Sequence, residues 1–179
     1  LGTHGFFDAR DTKKLIKWLE AQKVDLVNIH NIHGFYMNTP ILFDYFKRSG
    51  VSVVWSLHDC WSFTGHCASY DGYGCEKWKT GCGNCPQLDK YPITYIDRSK
   101  SNYIKKKELF CSLPRNKLSF IVPSCWHKNQ LAQSFLSDYD CTVVHHGINT
   151  DTFSPVNSDF RPRQGIDGKK IVLCISFGY

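Results

Sequence analysis

The chain has 179 residues, with 22 Lys and Arg against 16 Asp and Glu, for a formal charge of +6. Its 42% hydrophobic and 21% charged residues describe a globular protein able to bury about 70% of its surface on folding, which excludes a disordered chain or a disulfide-dependent miniprotein. The apolar runs are far too short to cross a bilayer, and the opening residues do not read as a secretion leader.

Taken in chain order, the sequence alternates helix-like and strand-like stretches. Thr12 is placed to cap a first helix, with Leu15, Ile16 and Leu19 on one side and Lys13, Lys14 and Lys17 on the other. Leu26–Ile29 reads as a short buried strand ending at His30. Thr39-Pro40 joins a capping residue to proline at the first helical position; Leu42, Phe43 and Phe46 supply the apolar stripe, and Gly50 closes the helix. Residues 51–57, a β-branched run holding Trp55, form a second strand that delivers His58 and Asp59. Lys105, Lys106 and Lys107 make a basic run on an expected helix, suited to anionic lipid headgroups or to plain solvation. Leu118–Val122 is a third strand, and Ser124 caps a helix through Leu131 and Phe135. Residues 142–145 form a fourth strand, 147–168 are rich in turn residues and read as a connection, and 171–175 form one more strand.

Apolar strands separated by helices predict an α/β fold, a Rossmann-like doubly wound parallel sheet. Ligands in such sheets bind beyond the carboxyl ends of the strands. His30 and His33 follow the first strand there, His58 and Asp59 the second, and His145 and His146 end the fourth.

Of nine cysteines, Cys60, Cys67, Cys75, Cys82 and Cys85 crowd one long loop, residues 59–98. Cys111, Cys125, Cys141 and Cys174 are isolated, and the last three, in or beside apolar stretches, read as buried free thiols. Cys82 and Cys85, followed by Pro86, form a knuckle that presents two thiolates to one metal. Cys67 and Cys75 are spaced to complete a closed Cys₄ zinc site, with Cys60 and His66 as reserve ligands. A structural zinc would explain how so long a loop is held; reduced thiols or disulfides are the alternative reading. Trp55, Trp61, Trp78, Trp126, Tyr70, Tyr73, Tyr91 and Tyr95 offer flat faces for stacking a ligand, or simply core.

Certain stretches resemble a known family. They are Asp25-Leu26-Val27-Asn28-Ile29-His30-Asn31-Ile32-His33-Gly34, then Trp55-Ser56-Leu57-His58-Asp59-Cys60-Trp61-Ser62-Phe63-Thr64-Gly65-His66-Cys67, Cys82-Gly83-Asn84-Cys85-Pro86, Tyr91-Pro92, Val122-Pro123-Ser124-Cys125-Trp126, and His146-Gly147-Ile148-Asn149 with Phe153-Ser154-Pro155. Together they resemble glycosyltransferase family 4, retaining enzymes of the GT-B fold, most closely the colanic-acid and capsular polysaccharide type. The resemblance implies that residues 1–150 are an incomplete amino-terminal, acceptor-side Rossmann-like domain with the cysteine-rich insertion at 59–98. Residues 151–170 would be the interdomain linker and 171–179 the first strand of a donor domain, so the fragment alone is expected to be inactive. It further implies a nucleotide sugar as donor, a lipid-linked glycan acceptor, and a cytoplasmic site peripheral to the membrane. His58 would be the cleft-facing catalytic group, with Asp59 orienting it or capping the next segment. His30, Asn31, His33, Gly34 and His66 would line the acceptor pocket. A zinc-knuckle module for nucleic acid or another anionic partner is the rival reading, but no basic cluster surrounds the cysteines and no nucleic-acid motif appears. A scaffold or an epimerase of the same fold is a third.

Overall fold

Helix starts are set locally, because the first backbone N–H groups need acceptors. In the computed structural model, which describes residues 2–172, α1 spans Ala9–Gln22 and is capped by Asp8, whose carboxylate accepts from the Asp11 amide at 2.9 Å. Thr12, expected as the cap, is instead buried inside the first turn. Its hydroxyl donates to the Asp8 carbonyl and accepts from the Asn38 amide, tying α1 to the start of α2. Ile16 and Leu19 are buried as expected, but Leu15 is largely exposed. Helix α2, Thr39–Ser49, is capped by Asn38, one residue before Thr39, and closes at Gly50.

Strands β1 (Leu26–Ile29), β2 (Ser52–Ser56), β3 (Leu118–Val122) and β4 (Cys141–Val143) pair in parallel in the order β1-β2-β3-β4. This is the expected α/β, Rossmann-like architecture. Ile29 lies opposite Trp55, Ser56 opposite Ile121 and Val122 opposite Val143, so the four carboxyl ends form one edge. β1 is not the buried strand expected: it pairs only with β2 among the described residues, leaving Leu26 and Asn28 exposed. β4 sits one residue early and ends at Val143, because His145 turns its ring to the Pro123 carbonyl at 2.8 Å.

Helix α3 runs Ser99–Phe110, and α4 runs Cys125–Leu131 from its Ser124 cap. α4 stops short of Phe135 because the Ser134 hydroxyl takes the Leu131 carbonyl and the Leu136 amide, competing with the helical pattern. Trp55 anchors the core, edge-on to Phe110 at 4.9 Å and beside Phe43 and Phe120. At 150–250 Å² per aromatic, each such ring contributes about 4–6 kcal/mol of burial.

The cysteine-rich loop contains only three short 3₁₀ turns, Trp61–Phe63, Asp71–Tyr73 and Lys77–Lys79. It brings its own core instead: Tyr70 stacks on Trp78 at 4.9 Å, and Phe63 packs on Trp78 at 5.3 Å. Trp55, Trp61, Trp78 and Tyr70 are therefore buried rather than offered to a ligand. The three lysines of α3 do not share one face: Lys105 and Lys107 are exposed and Lys106 is buried. Cys125 and Cys111 are exposed and Cys141 is half-buried, so the expectation of buried thiols fails at Cys125, which sits at the open start of α4. Cys174 lies outside the described residues.

Residues 147–179 form a second unit. Its described part, to residue 172, holds one short helix, α5 (Phe160–Arg163), in an otherwise irregular, exposed chain. Ile171 and Val172 are not in a strand, and the rest of the strand expected over 171–175 lies outside the described residues. Among the described residues, no helix is long and apolar enough to cross a membrane.

The loop's return to α3 leaves no room at Gly65. A Cβ there would meet the Ser99 carbonyl inside any real contact distance and the Cys82 Cβ at 2.6 Å. Gly65→Ala should therefore lower the stability of the chain by at least about 1–3 kcal/mol in urea denaturation. Gly72→Ala, facing open space in the same loop, should stay within about 0.5 kcal/mol of wild type.

Candidate functional site

Parallel pairing makes the strand ends converge, and the histidines that follow them meet. His30 Nδ1 lies 2.8 Å from His58 Nε2, with the rings nearly parallel at 16°. The His146 ring stacks on the other side of His58, 5.6 Å away and 6° off parallel. His30 is held from behind by the Trp55 indole, which donates to its carbonyl at 3.0 Å. An imidazole pair sharing one N–H···N bond needs an acceptor nitrogen, so at least one ring of the pair is neutral. Burial, then the neighbouring His30 and His146, push the His58 pKa below its ordinary value.

A second pair lies behind the first. His33 Nε2 is 2.8 Å from Asp59 Oδ2, and the Trp61 amide donates to Asp59 Oδ1 at 2.9 Å. Burial works against the Asp59 carboxylate, but the His33 hydrogen bond and charge, the Trp61 amide and Lys106 outweigh it, and the carboxyl pKa lies below its ordinary value. With both oxygens taken, Asp59 orients His33 rather than His58. The other His33 nitrogen meets the Tyr91 hydroxyl at 3.3 Å, and the ring packs against Trp61. Gly34, at φ 116, turns the chain just after His33, and its carbonyl accepts from the Gly5 amide.

Of the expected site residues, His30, His33, His58 and Asp59 come together, and Asn31 lines the same small cavity. His146 joins them through His58, whereas His145 is spent on the Pro123 carbonyl. His66 lies elsewhere, buried in the wall of a cavity shared with Cys67, Cys75, Cys82 and Cys85. Among the described residues no three Cys, His, Asp or Glu side chains stand as a ready-made coordination set. The cavity between His30 and His58 holds only about 10 Å³, too little for a sugar ring, so a ligand there must bind against the open rim. Two roomier grooves, of about 500 and 700 Å³, lie away from the histidines along α3.

Several contributors were not read from the sequence. His127 is buried and donates to the Asp59 backbone, and burial lowers its pKa. His4 packs on Phe35 at 4.3 Å, and burial, with His33 next, lowers its pKa to about 4. Phe35 and Tyr36 are about half exposed; Tyr91 packs on His33, Tyr36 lies near Tyr91, and Phe35 packs on His4, so the three line one aromatic bank. The clue available in the sequence was the run Gly34-Phe35-Tyr36, two aromatics on a loop at a strand end.

The chain is 32% identical over 159 residues to the colanic acid biosynthesis glycosyl transferase WcaC of Escherichia coli (strain K12), a name that protein itself carries provisionally. The match covers 84% of this chain and 38% of that protein, so the chain spans under half the length of its relative. No family model matches the chain. No solved structure matches it either.

A carboxyl whose pKa drops on folding stabilises the native state above its unfolded value, 3.8, and that contribution fades as the pH falls through the folded value. Asp59→Asn should therefore cost about 1–3 kcal/mol at pH 7. The deficit relative to wild type should shrink below about pH 4, as urea denaturation across pH 3–7 would show.

Proposed function

We propose that the chain is the acceptor-side part of a glycosyltransferase of surface-polysaccharide synthesis, with the histidine rim as its substrate-facing site. The observation that carries this reading is the convergence of His30, His58 and His146 from three strand ends in a chain similar over most of its length to a colanic acid transferase. The wider assignment to family 4, with a retaining outcome, rests on the motifs around His58 and Cys82–Pro86. On this reading residues 1–150 form the acceptor domain, 151–170 link it to a donor domain, and 171–179 begin that domain.

His58 is exposed, and its lowered pKa keeps the ring neutral and amphoteric near neutral pH. It can accept a proton from an acceptor hydroxyl or donate to a sugar oxygen while His30 fixes its orientation. In the same-face mechanism of retaining transferases, the departing diphosphate of the nucleotide sugar takes the acceptor proton, and no side-chain nucleophile is needed. The chain's task is then to place the hydroxyl and stabilise charge. Phe35, Tyr36 and Tyr91 offer apolar faces on which a pyranose can stack, with Asn31 and His33 at its edge. An open rim suits an acceptor presented on a lipid carrier, and exposed Lys105 and Lys107 suit a peripheral seat on an anionic, cytoplasmic membrane face.

The test is transfer by the full-length protein from a panel of nucleotide sugars to a lipid-linked acceptor, followed by mass spectrometry of the product. His58→Ala should lower kcat about 10²–10³-fold while the melting temperature stays close to wild type. Wild-type turnover in that variant would remove His58 from the mechanism.

A further inference from the structure

The wall of the small cavity in the cysteine loop concentrates ligand-type side chains that the histidine rim does not use. Cys67, Cys75, Cys82 and Cys85 all line it, and it measures about 10 Å³, room for one ion or one water. One of the thiols already takes an amide hydrogen bond. The Gly65 N–H lies 3.1 Å from Cys82 Sγ, and the Cys85 amide donates to Asp97 at 2.9 Å, fixing the far end of the turn. Asn84 adopts the left-handed conformation, φ 46, inside the Cys82–Cys85 turn. Lys77 clamps that turn from outside by donating to the Gly83 and Asn84 carbonyls. The backbone is thus shaped to hold two sulfurs side by side.

The unpartnered polar atoms gather at the same place. Among the described residues, seven buried side-chain nitrogens and oxygens lack a hydrogen-bond partner, and four belong to residues lining this cavity: His66, Trp78, Gln87 and Ser99. Folded proteins leave few such atoms, and each calls for a cause. Trp78 Nε1 and Gln87 Nε2 can only donate, and Ser99 Oγ is able to. Donors left over around four sulfurs are matched by negative charge on those sulfurs, as in the outer shell of a metal–thiolate centre.

We propose that Cys67, Cys75, Cys82 and Cys85 bind one zinc ion as a closed, structural tetrathiolate site that fastens the loop beneath the histidine rim. Binding exchanges four thiol protons, released to solvent, for one Zn²⁺, leaving a doubly negative centre that accepts from the leftover donors. The four sulfurs do not stand as a ready-made coordination set, so binding requires their side chains to close on the ion. His66 stays outside the ligand set as part of the surrounding shell.

Full-length protein purified under reducing conditions should carry about one zinc per chain by elemental analysis, and mercurial titration should release it as four thiols react. Cobalt in its place should give thiolate-to-metal charge-transfer absorption and the visible bands of a tetrahedral site. Cys85→Ser should bind zinc at least tenfold more weakly, whereas His66→Ala should retain it; loss of the metal from the His66 variant would overturn the all-cysteine set. Folded wild-type protein that carries well under one zinc and takes up neither zinc nor cobalt on dialysis would overturn the proposal, whatever the variants do.

Discussion

A single buried lysine, its pKa pulled well below the ordinary value by burial, organises this molecule. Lys106 projects from α3 into the interior, where its ammonium donates to the Trp61 carbonyl at 2.6 Å and the Thr64 carbonyl at 3.0 Å and lies 3.4 Å from the centre of the Trp61 ring. Removing an ammonium from water costs several kcal/mol, so carbonyl dipoles, a π face and nearby negative charge must surround it. All of these come from the turn after β2 and the loop that follows. Because Lys106 lies 45 and 42 residues beyond Trp61 and Thr64, the two carbonyl bonds decide where the cysteine-rich loop leaves the sheet and where it returns.

Trp61 carries this constraint into the histidine rim. Its carbonyl and ring hold Lys106, its amide caps Asp59, and the ring also packs on His33. Asp59 therefore points inward, toward His33, while His58, one residue earlier on the chain, points outward to His30 and His146. Alternation at a strand end separates two adjacent titratable residues into a supporting one and an exposed one. Close packing of Gly65 on the Ser99 carbonyl and Cys82 then ties the cysteine cavity to the base of the same turn. The two clusters are thus neighbours through backbone and one lysine.

Strand and helix identities were legible wherever a pattern is local. Leu118–Val122 and the Ser124 cap follow directly from a short apolar run and a serine after proline. The meeting of His30 with His58 was legible one level up, since parallel strands must end at one edge. What escaped was decided by packing. Lys105, Lys106 and Lys107 are chemically alike, and only the helix rotation imposed by the core selects Lys106 for burial. Asp8 beats Thr12 to the cap because Thr12 is needed between α1 and Asn38. Cys125 looked like a small core residue, but a position just inside the start of a short surface helix faces water. The aromatic bank of Phe35 and Tyr36 has no periodic signature, because it lies on an irregular loop.

The protonation pattern of the rim assigns the two expected catalytic residues different work. The Asp59 carboxylate is kept charged, and its oxygens are engaged by His33 and Trp61, so its work is to hold the rim from behind. His58 is the reverse case: exposed, neutral by preference, and flanked by two further imidazoles whose protonation would repel its own. Such a rim offers hydrogen bonds of either sense without a fixed positive charge, which suits the hydroxyls of a neutral glycan better than a phosphate.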